Sequence, residues 1–555
     1  MLLFHALFIS PGFILRFSIW PTSINRFTFL LALFYVCIFN IPFFSVVERG
    51  LAAQSAVNWW FVGSIPLFLL CALSILFSLF SVRYLVKPFF ILLTLVSSLV
   101  FFGQWQYGII FDAGMMQNIF QTNPAEAQTY LNISSVLSFL LTGVLPSIWI
   151  YKAPLQYPKA STMLKQKGLF ILVNAMIIGL IAALFLQNYV TFGRNNDNFK
   201  RSIVPTYFVG SLVKYINITY LQKPLPYHEL GLDAHETVKH HKPKLLVLVV
   251  GETARAKNFQ NYGYDRPTNQ YTAKDNLLVF NDVSSCGTAT AVSLPCMFSR
   301  MNRKDYDARH AHAEDTLMDV LHHADIKLSW IDNDSGCKGV CDRIPHELIA
   351  LDADPEFCNG ESCQDQVLVD RLKKTLAKMD AHPEDTLIVL HMMGSHGPTY
   401  YQRYPKDKAL FMPDCKRGDI QNCSHQELVN SYDNTLVYTD YILSEVIGVL
   451  KQESNRYETG MLYLSDHGES LGEDGMYLHG APYAIAPDEQ THIPMFAWFS
   501  NSFLNDSKLS RTCIAVKAKA GGFSHDNLFD TVLGLMDVDT QIYRKSQDIM
   551  ASCKE

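Results

Sequence analysis

The sequence predicts two architectures in one chain: an N-terminal all-α membrane domain of five spans over residues 1–190 and a C-terminal α/β domain over residues 244–555, with an interfacial helix and linker over 191–243 between them. Three observations carry this. The chain has 555 residues, more than one core usually organises. Residues 1–190 are almost continuously apolar, whereas 244–555 mix charges, Gly, Pro and His as a globular enzyme does. Ten of the 12 cysteines fall in the second part. The net charge of -6 and the lack of a basic stripe interleaved with aromatics argue against a nucleic-acid partner.

Five stretches, 27–47, 60–81, 88–110, 132–151 and 169–190, reach the ~20 residues needed to cross a bilayer core. Positive charge sets their orientation. Arg16 and Arg26 precede the first span, Arg83 and Lys87 separate the second from the third, and Lys152, Lys159, Lys165 and Lys167 separate the fourth from the fifth. Pro88 through Tyr151 contains no Lys or Arg. A cytoplasmic start followed by five crossings places everything after residue 190 outside the cytoplasm. The opening "MLLFHALFISPGFILRFSIW" lacks a basic leader and is interrupted by Pro11, Gly12 and Arg16, so it reads as an interfacial segment rather than a signal peptide or a sixth span.

Cys37 and Cys71 fall within spans, where a thiol behaves as a small apolar group. Eight others form close couples: Cys286 with Cys296, Cys337 with Cys341, Cys358 with Cys363, Cys415 with Cys423. None has paired C-x-x-C spacing, so disulfides in an oxidising compartment are favoured over thiolate zinc sites. Cys513 and Cys553 are candidates for a fifth bridge.

The stretch "NFKRSIVPTYFVGSLVKYINITY" (198–220) alternates basic, aromatic and aliphatic residues, as a helix lying on a membrane surface does; an ordinary linker helix has the same pattern. The connector that follows is polar, and its His240 and His241 are expected to be solvated.

From Lys244 onward, short apolar runs alternate with helical periodicity: "KLLVLVVGET", "NLLVFNDVSSCGT", "IKLSWIDNDS", "DTLIVLHMMGSHG", "GMLYLSDHGES" and "IPMFAWFS". That alternation predicts a mostly parallel sheet, in which ligands bind beyond the carboxyl ends of the strands. Those ends carry Glu252, Thr290, Asp334, His396 and the pair Asp466 and His467. Glu252, Asp466 and His467 form a mixed oxygen and nitrogen set suited to zinc, whose fourth position catalytic sites keep for a reacting oxygen.

The segment "SSCGTATAVSLPC" supplies candidate hydroxyls near a helix N-terminus. A helix end contributes only ~0.3–2 kcal/mol, and one pKa unit costs about 1.36 kcal/mol, so it shifts a hydroxyl by little more than a unit. Bound zinc lowers the pKa of its water from about 15.7 to about 7. Metal coordination is therefore the decisive contribution, and a hydroxyl without it stays inert. Composition alone reads the segment as a capping loop and does not choose between Thr288 and Thr290.

The motifs "VGETAR", "SCGTATAVSLPCMFS", "HMMGSHGP" and "SDHGESLGEDGMYLHG" resemble those of the membrane-anchored lipid A phosphoethanolamine transferases. That family includes the mobile colistin-resistance enzymes and belongs to the alkaline phosphatase and sulfatase superfamily. The likeness runs over nearly the whole chain. It implies a sulfatase-like catalytic domain in the periplasm, tethered to the bacterial inner membrane by a multi-pass domain, with Thr290 as nucleophile and Glu252, Thr290, Asp466 and His467 as ligands of a zinc ion. His396 and His479 match positions that bind the phosphoethanolamine group or an additional zinc, or they orient the ligands. Lys338 and Glu469 match substrate-contacting positions. Asn118, Thr122 and Glu126 match an outward-facing loop implicated in donor recognition, although Pro124 interrupts the helix face they would share.

The reaction implied is transfer of phosphoethanolamine from phosphatidylethanolamine to lipid A through a phosphoethanolamine-threonine intermediate, with polymyxin resistance as the consequence and a monomer as the expected state. Transfer of phosphoethanolamine or phosphoglycerol to another envelope glycan would keep every motif. A sulfatase or phosphatase would release its product to water, and a non-enzymatic zinc-binding membrane protein would not need Thr290.

Overall fold

The computed structural model describes residues 22–52, 58–122, 124–195, 199–238, 242–379 and 383–554. The expected interfacial segment at residues 1–20, together with His240 and His241, lies outside the described residues. The chain divides into two compact units, one comprising residues 1–112 and 133–212 and the other 113–132 and 213–555. The loop 113–132, which a linear division at residue 190 leaves with the membrane part, thus groups with the second unit.

The first unit is helical. Among the described residues, four helices are long and apolar enough to cross a membrane: α3 (Trp59–Phe80), α4 (Val86–Tyr107), α7 (Ile133–Lys152) and α8, whose apolar part is Ala160–Val190. The remaining expected span is broken: Ile24–Phe39, which opens with α1 (Ile24–Phe34), meets Ile41–Leu51 of α2 (Ile41–Ala52) at a bend of 57°. The break has a local cause. Pro42 lacks an amide hydrogen for the ladder, and the buried Asn40 pins the bend, its Nδ2 donating to the Tyr35 carbonyl at 3.0 Å and the Val204 carbonyl at 2.8 Å while its Oδ1 accepts from the Val204 amide. Counting the bent pair as one span gives five. Large apolar side chains such as Leu92, Leu140, Leu172 and Leu184 face outward. Hydroxyl pairs lie inside, including Thr28 with Ser81 at 2.9 Å and Ser98 with Thr142 at 2.7 Å, an arrangement suited to a lipid surround. The basic aromatic stretch forms α9 (Thr206–Ile216).

The second unit is built on a seven-stranded sheet. In chain order its strands are β1 (Lys244–Gly251), β2 (Leu278–Val279), β3 (Lys327–Asp332), β4 (His346–Leu348), β5 (Thr386–His391), β6 (Glu458–Ser465) and β7 (Met495–Phe499), and in space they run β2-β7-β6-β1-β5-β3-β4. The six apolar runs supply six of them. The exposed edge strand β4 carries no apolar run and was not expected. β6, β1, β5, β3 and β4 are parallel, and β7 is antiparallel to both β6 and β2. β1 is buried along its whole length, as a strand covered on both faces must be. Against the sheet lies α11 (His425–Glu453), started by a capping box in which the Ser424 amide donates to Glu427 Oε2 at 2.8 Å.

Five disulfides, Cys286–Cys296, Cys337–Cys341, Cys358–Cys363, Cys415–Cys423 and Cys513–Cys553, pair all ten cysteines of this unit. Four of them pin loops of fewer than a dozen residues.

Candidate active site

Strand register assembles the site. Ser465 is level with Gly251, Val250 with His391, and His391 with Asp332, so β6, β1, β5 and β3 end together. The residues that follow these ends therefore emerge at one edge of the sheet: Glu252 after β1, Asp334 after β3, His396 after β5, and Asp466 with His467 after β6.

The loops are tied to one another by backbone contacts. Ser465 Oγ accepts from the Ala254 amide at 2.9 Å and donates to the His467 carbonyl at 2.8 Å. Tyr432 of α11 donates its hydroxyl to the Thr253 carbonyl at 2.8 Å, and the buried Asp365 accepts from the Met393 and Gly394 amides at 2.8 and 2.9 Å. Gly394 sits at φ +49°, and a Cβ there would meet the Glu252 carbonyl at 2.7 Å, so only glycine lets these two loops approach.

The four principal side chains converge. Thr290, the first residue of α10 (Thr290–Met297), donates to Glu252 Oε2 at 3.0 Å, and its Oγ lies 3.4 Å from His467 Nε2. Asp466 Oδ1 accepts the amides of Thr253 at 3.3 Å and His467 at 2.7 Å. His467 Nδ1 lies 2.9 Å from the Gly468 carbonyl, which takes its proton and leaves Nε2 as a lone pair. That lone pair is 3.5 Å from Glu252 Oε1 and 3.4 Å from Asp466 Oδ2, two buried oxygens that have no hydrogen-bond partner. One ligand atom from each of Glu252, Asp466 and His467 fits within a 4.8 Å sphere of separation. Burial and the carboxylates of Asp466 and Asp334 push Glu252 well above the usual carboxylate range, while burial pushes His467 below its ordinary value against the pull of Asp466. A buried cluster of acidic oxygens and one imidazole lone pair, gathered within 4.8 Å of one another, fits a divalent cation of the zinc class.

The same geometry separates the two threonines. Thr288 donates its hydroxyl to the Ala481 carbonyl at 2.6 Å, Ser285 to the Gly287 carbonyl at 2.6 Å, and Ser293 to the Asp466 carbonyl. Among these, only Thr290 turns its hydroxyl to the carboxylates.

Beside the cluster lies a row of imidazoles. His479 is 4.6 Å from His467 and 5.6 Å from His396, centroid to centroid. Glu469 is fully buried, one oxygen 3.0 Å from His479 Nδ1 and the other accepting the Tyr400 hydroxyl at 2.7 Å, so both are engaged by protein groups. Lys338, in the loop closed by Cys337–Cys341, donates to Ser335 Oγ at 2.8 Å, and Ser335 in turn donates to Asp334 at 2.9 Å. Burial opposes ionisation of Asp334, yet His391, His396 and Lys338 outweigh it and draw the carboxyl down to about 2.

Asn118 and Thr122 bond to each other, Thr122 Oγ1 donating to the Asn118 carbonyl at 2.9 Å at the end of α5 (Ala113–Gln121). Pro124 starts a new helix, α6 (Pro124–Thr129), so no single face runs from Asn118 through residue 126, and the Glu126 side chain lies outside the described residues. What sequence reasoning missed is where α5 goes. It packs on α10, with Gln117 Nε2 donating to the Ala291 carbonyl at 3.3 Å and Met115 against Gly480. Two buried histidines were also missed. His525 Nδ1 accepts the Cys286 amide at 2.9 Å and its Nε2 donates to the Ser465 carbonyl at 2.9 Å, joining the Thr290 segment to β6; no spacing around "FSHDN" signals this. His391, the last residue of β5, stands 2.8 Å from Asp332.

Comparison with known proteins places this geometry. The Sulfatase family model matches residues 244–538, and the model described as Phosphoethanolamine transferase EptA/EptB matches residues 69–220. The chain is 40% identical to phosphoethanolamine transferase EptA of Escherichia coli strain K12 over 532 residues, 95% of this chain and 96% of that one. It is 35% identical to phosphatidylethanolamine transferase Mcr-1 of Escherichia coli, over 94% of this chain and 97% of that one. Its fold matches the integral membrane protein lipooligosaccharide phosphoethanolamine transferase A from Neisseria meningitidis with a TM-score of 0.92 at 36% identity, covering 95% and 98% of the two chains.

Proposed function

The chain belongs to the phosphoethanolamine transferases of the EptA and Mcr type, and from that premise we propose that it moves phosphoethanolamine from phosphatidylethanolamine to a phosphate of lipid A by way of Thr290. We place the catalytic unit on the periplasmic side of the inner membrane, with residues 1–190 as the membrane domain, 191–243 as linker and 244–555 as the catalytic domain. The observation that carries the reading is the bond from Thr290 to Glu252 beside two unpartnered buried carboxylate oxygens.

Glu252, Asp466, His467 and Thr290 would hold zinc. Bound there, zinc acts as a Lewis acid that stabilises the deprotonated hydroxyl and the charge on the phosphoryl oxygens. Thr290 gives up its proton, with Glu252 as the group it already donates to, and its Oγ attacks the donor phosphorus. The phosphorus to glycerol-oxygen bond breaks, the departing oxygen takes a proton from the histidine pair His396 and His479, and diacylglycerol leaves. An oxygen of the acceptor phosphate then attacks the same phosphorus, the bond from phosphorus to Thr290 Oγ breaks, Thr290 recovers its proton from Glu252, and the histidine pair regains its own from the incoming phosphate or from water. Lys338 supplies fixed positive charge for the phosphoryl group. Glu469 acts through His479 and Tyr400. Asn118, Thr122 and Glu126 belong to the donor-recognition loop. Both substrates are lipids, and the membrane anchor confines the search to a plane and raises their effective concentration. The added ammonium offsets acceptor charge and so weakens binding of cationic polymyxins.

Mass spectrometry of lipid A from cells expressing wild type and Thr290→Ala tests this. A phosphoethanolamine increment is expected with the wild type alone. An increment on a different envelope glycan, or an unchanged lipid A in both strains, would overturn the acceptor assignment.

A further inference from the structure

We propose that the second unit carries a saccharide-binding pocket, formed where residues 128–132 meet the turn Tyr400–Gln402, and that it takes an uncharged sugar ring of the acceptor. The cavity has a volume of about 510 Å3, within the roughly 300–1,000 Å3 of small-molecule sites. Every residue that lines it belongs to the second unit. Gln128, Thr129, Asn132, Thr399 and Gln402 supply neutral amides and hydroxyls, and Tyr401 supplies an aromatic ring with a hydroxyl. Side-chain amides and hydroxyls both donate and accept, as sugar hydroxyls do. The aromatic ring offers an apolar face to the C–H face of a pyranose.

Charge narrows the ligand. No Lys, Arg or His lines the cavity. The guanidinium groups of the adjoining loops face other partners: Arg403 donates to the His396 carbonyl at 2.8 Å and to Thr399 Oγ1 at 3.2 Å, and Arg417 donates to Asp419 at 2.5 Å. A phosphate or carboxylate would therefore enter without a countercharge. Glu361 is the single charged residue of the lining, and it is exposed, which is too little to hold a cation. A neutral, hydroxyl-rich ligand remains. The walls are held in advance of binding: Glu361 stands in the loop closed by Cys358–Cys363, and Gly418, also in the lining, stands in the loop closed by Cys415–Cys423. A Cβ at Gly418 would lie 2.8 Å from the Thr129 carbonyl, so glycine lets the two segments meet. Gln402 Nε2 is 3.5 Å from the Tyr401 hydroxyl, longer than the roughly 2.7–3.2 Å of a settled bond, and a ligand hydroxyl can displace that contact. Arg403 couples the pocket to the catalytic loop, since one guanidinium grips both Thr399 and the His396 carbonyl. Tyr400 turns the other way, to Glu469 at 2.7 Å.

That the sugar belongs to the acceptor rests on the transfer reading above; the pocket itself does not. The full-length chain, in a detergent without a sugar headgroup, is probed with an N-acetylglucosamine disaccharide free of phosphate and acyl chains, by saturation-transfer difference NMR, and its transfer kinetics are measured alongside. Wild type is expected to bind the disaccharide, and neither inorganic phosphate nor ethanolamine competes. Gln402→Ala and Asn132→Ala are each expected to weaken binding by about 3- to 10-fold, and to raise the KM for lipid A by a similar factor without raising that for phosphatidylethanolamine. Gln128→Trp, at an exposed position of α6, fills the cavity and abolishes binding even where an alanine variant fails to fold. No saturation transfer in wild type, binding that all three variants keep, or displacement by phosphate would overturn the inference and leave the transfer reading standing. A KM for phosphatidylethanolamine that rises together with that for lipid A would overturn it as well. Disaccharide binding that the variants lose, in a chain that forms no lipid A product, would uphold the pocket and remove the acceptor assignment.

Discussion

Glu469 holds His479 through one carboxylate oxygen at 3.0 Å and Tyr400 through the other at 2.7 Å, from a position with no solvent access. The carboxylate fixes which nitrogen of His479 carries a proton and turns the ring toward His467, 4.6 Å away. Glu469→Gln preserves the shape and removes the charge. Losses of about 10- to 100-fold in kcat are expected, as for other groups that orient a site from behind, with KM nearly unchanged. Steady-state kinetics on a fluorescent phosphatidylethanolamine checks this, and a KM rise with kcat intact would instead place Glu469 on the substrate.

His525 predicts a pH dependence of stability. Burial holds its imidazole down to about 4, against an ordinary value of 6.5. The unfolded chain binds a proton in that interval and the folded chain does not, so the contribution is complete above pH 6.5 and is lost as pH falls toward 4. At 1.36 kcal/mol per unit the loss amounts to about 3 kcal/mol. Thermal melts of the wild type from pH 7.5 to 4.5 should show that slope, and His525→Gln, less stable at neutral pH, should flatten it.

Much of this was legible from the sequence, and what was not has physical reasons. Runs such as "KLLVLVV" and "MLYLS" read as strands because a parallel sheet is buried on both faces and leaves no polar alternation. "SDHGE" placed Asp466 and His467 at a strand end because the turn there is local, and Gly468 is dictated by the Glu489 carbonyl, which stands where a Cβ would have to go. The break at Asn40 was illegible because the groups that pin it come from Val204, 164 residues away. Hydropathy likewise gives no hint that α5 packs on α10, since its apolar residues suit a membrane loop equally well. Thr288 and Thr290 are alike in composition, and their partners in the fold, the Ala481 carbonyl for Thr288 and the Glu252 carboxylate for Thr290, tell them apart.

The packing of α5 on the catalytic unit carries its own prediction. Gly480 adopts φ +84°, and a Cβ there would lie 2.6 Å from Met115 Cε. Gly480→Ala is expected to destabilise the protein by ~1 kcal/mol from left-handed strain, with a smaller packing part because the methyl it meets is the far end of the flexible Met115 side chain. Met115→Ala in the same chain should relieve the packing part and leave the strain. A double-mutant cycle read by thermal unfolding and by transfer rate checks this, and strict additivity would show that the two residues do not touch.

Removing the second threonine hydroxyl should be nearly silent. Thr288→Val gives up a single neutral hydrogen bond to the Ala481 carbonyl, costing about 1 kcal/mol of stability, and transfer should stay within a few-fold of wild type. A loss as deep as that of Thr290→Ala would mean that the wrong hydroxyl has been placed at the cluster.

The most direct measurement is peptide mass spectrometry of the purified full-length protein, quenched after incubation with phosphatidylethanolamine in the absence of acceptor. The account predicts a phosphoethanolamine adduct on the peptide "ATAVSLPCMFSR", fragment-mapped to Thr290, that disappears on adding lipid A and is absent from Thr290→Ala. An adduct mapped to any other residue, or full turnover by Thr290→Ala, would contradict it.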